Sequence, residues 1–144
     1  MTRLVLTAAL VFAASCRDTT GPLDQLAAAR ERWSKRGFAD YSYTFQAICF
    51  CANGNPIRVS VVRDTVRSAI DLTTSQPVSL QFLYTYTVDG LFAVIENGIS
   101  NHKTVDATYE PTLGYPVHID YDRDNPAPDA GAIYKVNDLR SGAP

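Results

Sequence analysis

Nothing in this sequence is apolar for long enough to cross a bilayer as a helix. The longest such run, Leu4 to Ala14, holds eleven residues with Thr7 its one polar member, whereas a spanning helix needs about 20. An excess of one charge is also lacking. The net charge is −2 over 144 residues, too small to build the basic field that a nucleic-acid partner requires. There are only three cysteines and two histidines, and no G-x-S-x-G elbow, glycine-rich phosphate loop or dinucleotide fingerprint occurs. The common signatures of hydrolases, nucleotide-binding enzymes and zinc fingers are therefore missing. The eight prolines and eight glycines are scattered, which marks turns and not a low-complexity tract. What is present is 46% apolar and 10% aromatic residues, enough for the core of one domain and too much for a disordered chain.

The first residues follow an order that has a physical use. Arg3 supplies a positive charge, Leu4 to Ala14 an apolar segment, and Ala13-Ala14-Ser15 a run of small residues leading directly into Cys16. A segment of this length is the core of an export signal. The small residues let a peptidase reach the bond beside a modified sulfur, so the arrangement resembles a bacterial lipobox, although Ala13 stands where leucine is usual. Residues 1–15 are read as a lipoprotein signal peptide and 16–21 as a lipidated cysteine, Cys16, with its tether. Residues 22–140 are read as a single domain. Two or three acyl chains at ~0.8 kcal/mol per buried CH₂ make an effectively permanent anchor. Arg17, in place of an aspartate, favours the outer membrane facing the periplasm over the inner membrane.

Beyond the tether, Pro22 suits a first helical turn. Leu23, Leu26, Arg30 and Trp33 share a side, and Gly37 is placed to stop a helix over about 22–36. The period then changes to two. Tyr41, Tyr43, Phe45, Ala47, Cys49 and Cys51 alternate with Ser42, Thr44 and Gln46, which predicts a strand with one buried side. After the turn Asn53-Gly54-Asn55-Pro56 come Ile57, Val59 and Val61, and then a third strand over 65–70. Residues 72–81 read as a connection. A second helix is predicted over 87–98, capped by Thr87, with Val88, Leu91, Phe92, Ile95 and Ile99 as its apolar stripe. Val105, Ala107 and Tyr109 alternate, a turn spans Pro111 to Pro116, and Val117, Ile119 and Tyr121 alternate again. A loop runs from Asp122 to Gly131, and a last strand covers 132–136. The expectation is an α+β fold with two helices packed on an antiparallel sheet, in an order consistent with an internal αββ(β) duplication. One sheet face is then expected to stay open, as the place to meet a partner.

Few residues offer chemistry. With Cys16 lipidated, Cys49 and Cys51 are an even remainder in an oxidising compartment. An extended strand holds Cβ atoms at i and i+2 about 6–7 Å apart, beyond the ~3.5–4.5 Å of a disulfide. A bridge therefore needs a local kink, which the turn at 52–55 can supply; two buried thiols or a dimer contact are the alternatives. Asp120, Asp122 and Asp124, with Asp129 nearby, resemble the opening of a calcium loop. The EF-hand pattern nevertheless fails, because Asn125 and Gly131 stand where glycine and glutamate belong. Zinc held by Cys49, Cys51, His102 and His118 fits no common spacing. Phe82 to Tyr86 is aromatic enough for a ligand wall, or for a segment docking on the core.

Tyr43, Cys49-Phe50-Cys51, Pro56-Ile57-Arg58-Val59, Val88-Asp89-Gly90-Leu91-Phe92 and the Gly114-Tyr115-Pro116 turn running into Ile119-Asp120-Tyr121 carry a resemblance. Over roughly residues 28–139 the chain resembles a family of small bacterial lipoproteins classed only as a domain of unknown function. That resemblance implies no activity, cofactor or catalytic residue. The functional expectation is a non-enzymatic, lipid-anchored protein of the cell envelope. It would bind an envelope protein or wall component through a sheet face or loop, with the membrane as its other partner, no nucleic acid and no cofactor. A small-molecule or calcium sensor using the Asp120–Asp129 loop is the alternative, and an enzyme the third reading.

Overall fold

The computed structural model describes residues 21–50, 54–79, 81, 86–127 and 130–142. The predicted signal peptide and Cys16 lie outside these residues. Helix α1 spans Pro22–Ser34, followed by strands β1 (Tyr41–Cys49), β2 (Ile57–Val62) and β3 (Thr65–Asp71). Helix α2 (Val88–Ser100) leads into β4 (Val105–Tyr109), β5 (Pro116–Tyr121) and β6 (Ala132–Ser141). The strands form one antiparallel sheet in the order β3-β2-β1-β6-β5-β4. This is the expected α+β class. Among the described residues, no helix is long and apolar enough to cross a membrane.

Local chemistry accounts for the elements. Pro22 occupies the first turn of α1, and the Asp24 carboxylate accepts from the Gly21 N–H at 3.2 Å. Thr87 caps α2 as expected, its hydroxyl accepting from the Gly90 N–H at 2.9 Å. Both helices lie on the same sheet face. Tyr41, Tyr43 and Phe45 of β1, Val59 and Val61 of β2, Ile119 of β5 and Val136 of β6 meet Trp33 of α1 and Leu91, Phe92 and Ile95 of α2 in one core. The hydroxyls of β1 hold the start of α2. That of Tyr41 accepts from the Val88 N–H at 3.1 Å, and that of Tyr43 donates to the Tyr86 carbonyl. Burial pushes the Tyr41 hydroxyl up to about 12 and that of Tyr43 well above its usual range, so both stay protonated.

Three features depart from the expectation. The buried side of α1 is Leu26, Ala29 and Trp33, whereas Leu23 is half exposed. The turn at 110–115 comes against the Ala29 backbone, and Ala29 is fully buried. Strand β6 runs five residues beyond position 136, through Asp138 in a left-handed conformation (φ 52°). Its ladder with β1 shifts register between Ser42 and Thr44, so an irregularity, not a strand end, explains the polar Asn137-Asp138. The element order does repeat, as αβββ followed by αβββ. Two copies of one such unit with their helices on one face would meet through like strands, β1 beside β4 or β3 beside β6. Here β1 meets β6, so the second meander winds in the opposite sense and the repetition is one of element order.

Candidate functional site

With both helices on one side, no described element covers the second face of the six-stranded sheet, and the register shows what it carries. Residues alternating with the core positions form rows across the strands. One row runs Gln46, Lys135, His118, Thr108 across β1, β6, β5 and β4. The next runs Ile48, Ile133, Asp120, Asp106 over the same strands. On the other side of β1, Thr44 stands between Asn137 and Arg58, and Arg58 is opposite Ile70. The Arg58 guanidinium pairs with the Asp138 carboxylate at 2.6 Å, which Arg140 also holds at 2.9 Å. These two guanidinium groups keep the Asp138 carboxyl below the usual carboxylate range. Lys135 makes no ion pair among the described residues. The face thus offers donors, acceptors and scattered aliphatic side chains on a broad surface. Six strands at ~4.8 Å spacing make it about 25 Å wide.

The acidic loop is assembled differently from a cation site. Asp120 lies on β5 opposite Asp106, on the uncovered face. Asp122 sits just beyond, buried and in a left-handed conformation (φ 56°). Its N–H donates to the Thr104 carbonyl at 2.7 Å. Its carboxylate accepts from the Asn125 amide and the Lys103 ammonium, each at 3.0 Å. The Asp124 carboxylate accepts from the Thr104 hydroxyl at 2.9 Å, and Arg123 pairs with Asp106 and, at 3.6 Å, with Asp124. Asp122 and Asp124 are thus held by different partners, and Asp120 stands apart from both on the sheet. Among the described residues, no three His, Cys, Asp or Glu groups are placed to hold a metal ion. Asp129 lies outside the described residues.

Asn125 and Lys103 hold the Asp122 carboxyl below the usual range. A depressed folded value means that the carboxylate stabilises the fold fully above the ordinary carboxylate range, and that this contribution is lost as pH falls through the lower folded value. The gap in melting temperature between wild type and Asp122→Asn, open at pH 7, should therefore close as the pH is brought down toward 3. Thermal melts across that range check it; a gap independent of pH would mean that the charge on Asp122 does not stabilise the loop.

Cys49 ends β1 and is disulfide-bonded, whereas Cys51 lies outside the described residues. His118 is in the middle of the uncovered face, and His102 is in the turn after α2; among the described residues no zinc set is assembled. Of the aromatic stretch 82–86, the described Tyr86 stacks on Phe45 at 4.3 Å, which makes its ring part of the core wall. A groove of about 340 Å³, invisible in the sequence, lies between α1 and edge strand β4, lined by Gln25, Ala28, Arg32 and Ala107 to Tyr109. The row through Gln46, Lys135 and His118 was equally hidden, because it exists only once β6 inserts between β1 and β5.

In comparison with known proteins, a family model described as a family of unknown function (DUF6174) matches residues 25–141. No curated protein and no solved structure matches.

Proposed function

Since the chain belongs to DUF6174, a family of unknown function, we propose from the geometry of its own residues that it is a lipid-anchored, non-enzymatic protein of the cell envelope. It binds a partner protein through the uncovered sheet face. The observation that carries this reading is the placement of both helices on one side, which leaves Gln46, Lys135, His118, Thr44 and Asn137 in adjoining rows on the other. A face about 25 Å wide, with strands about 20 Å long, is of the order of the ~800 Å² that each partner gives to a stable interface. Its mixture of polar groups with Ile48, Ile70 and Ile133 suits an interface that forms and dissociates more than one that is permanent. The anchor is supported by the order of Arg3, the apolar run, the small residues and Cys16, and it sets the compartment in which the partner is sought.

The test is affinity purification from the detergent-solubilised envelope of the native host, followed by intact-mass analysis of the protein recovered. Wild type should begin at Cys16, carry the mass of the acyl chains, and retain a partner in fixed ratio. The double variant Thr44→Glu/Lys135→Glu reverses the centre of the face without touching the core. It should melt as wild type does and lose at least about tenfold of the partner, which corresponds to about 1.4 kcal/mol of binding. Equal recovery with both proteins sinks the sheet-face reading, and a bare thiol at Cys16 sinks the anchor.

A further inference from the structure

Among the described residues, five large apolar side chains are exposed: Phe50 at 88%, and Leu23, Ile48, Leu72 and Ile70 at 50, 44, 47 and 37%. Their placement is uneven. Cys49, Ala132, Tyr121 and Val105 form a row across four strands at one end of the sheet. Ile48 and Phe50 flank that row on β1. The start of α1 is at the same end, where Pro22 and Gln25 share a cavity wall with Ile99 and Val105, so Leu23 is there too. Strand β3 runs in the direction of β1, and Ile70 and Leu72 stand toward its corresponding end. The opposite end holds the turns with Lys35, Arg36, Arg63 and Asp64, and none of the five.

Clustered exposed apolar side chains mark a contact surface, and the position of Gly21 says which one. Gly21 is five positions beyond Cys16, and an extended chain of that length reaches at most about 17 Å. An acyl group on Cys16 therefore keeps the start of α1 within about that distance of the bilayer, on the side of the molecule where this end of the sheet lies. We propose that this end, formed by Leu23, Phe50 and Leu72, rests in the boundary between lipid headgroups and acyl chains. The sheet then stands upright on the membrane, with its uncovered face turned sideways to a partner. The inference rests on the lipid-anchor reading and adds an orientation to it. At this end Lys103 pairs with Asp122 at 3.0 Å and Arg123 with Asp106, while Asp120 stands beside them on the sheet, so the contact rests on the apolar side chains and the anchor and not on attraction to lipid charge. An apolar aromatic side chain such as Phe50 is one that inserts at this boundary.

The lipidated protein, purified from its host and reconstituted into phosphatidylethanolamine–phosphatidylglycerol vesicles with brominated acyl chains, tests the proposal. Trp33 is buried and contributes the same emission throughout. The emission gained by Phe50→Trp, and separately by Leu72→Trp, should fall at least about twofold relative to the same protein in unbrominated vesicles. The emission gained by Arg63→Trp at the far end should not change. Both apolar sites are exposed, so either variant serves if the other fails to melt as wild type does. Protein that floats with the vesicles but is quenched equally at all three positions overturns the orientation and returns the apolar end to a protein partner. Protein that does not float overturns the anchor itself, and the inference with it.

Discussion

Trp33→Ala should cost about 4 kcal/mol of folding free energy, the largest loss expected from any single side-chain truncation in this domain. Trp33 is 1% exposed and joins three parts of the molecule. Its ring meets Phe38, Tyr41 and Tyr115 edge-on at centroid distances of 5.9, 5.3 and 6.3 Å. Its indole N–H donates to the Asp89 carboxylate of α2 at 3.4 Å, and the Arg36 guanidinium lies over the ring at 4.3 Å. Truncation removes the buried area, the three ring contacts and the cation's platform, and it leaves a cavity that α1, pinned by the turn at 110–115, has little freedom to close. Domains of this size are stable by about 5–15 kcal/mol, so the variant should be close to unfolded at 37 °C. Urea denaturation measures it. A loss below about 1.5 kcal/mol would mean that the ring does not join helix to sheet as described.

The elements themselves were legible because their signals are local. The alternation Tyr41, Tyr43, Phe45 predicts a buried strand face, and all three are core residues. The stripe Val88, Leu91, Phe92, Ile95 and the cap Thr87 are likewise as expected, since a 3.6-residue period and a hydroxyl before it need no distant partner. The failures share a cause. Leu23, in the first turn of α1, is half exposed, while Ala29 is buried beside the turn at 110–115, some 80 residues away, a contact that no local pattern shows. The end of β6 is obscured because Asn137 and Asp138 read as loop residues. Yet Asp138 tolerates its positive φ, and its carboxylate is held by Arg58 from β2. The acidic loop misled for a related reason. A sequence can show that Asp120, Asp122 and Asp124 are close together, but not that Lys103 and Asn125 already occupy the central one. The uncovered face was foreseen as a possibility of the architecture, whereas its row of Gln46, Lys135 and His118 depends wholly on strand order.

Gly114→Ala should destabilise the domain by about 2–5 kcal/mol, and comparison with Gly37→Ala separates the two causes. Both glycines have positive φ, +84° and +76°, so each replacement meets the same backbone penalty of about 1–2 kcal/mol. Around Gly37 there is open space for a Cβ. A Cβ on Gly114 would collide with the Ala29 carbonyl oxygen and lie 2.9 Å from the Arg32 Cβ. The turn cannot retreat easily. Its Gly114 N–H donates to the Glu110 carbonyl at 2.9 Å, the Glu110 N–H donates to the Tyr115 carbonyl at 2.9 Å, and the Glu110 carboxylate accepts from the N–H groups of Thr112 and Leu113. The added methyl must therefore push α1 outward, along with Trp33, or break the turn. Chemical denaturation of both variants should show Gly114→Ala losing at least about 1 kcal/mol more than Gly37→Ala. Equal losses would mean that the close approach of the turn to α1 contributes nothing, and that this glycine serves its φ angle alone.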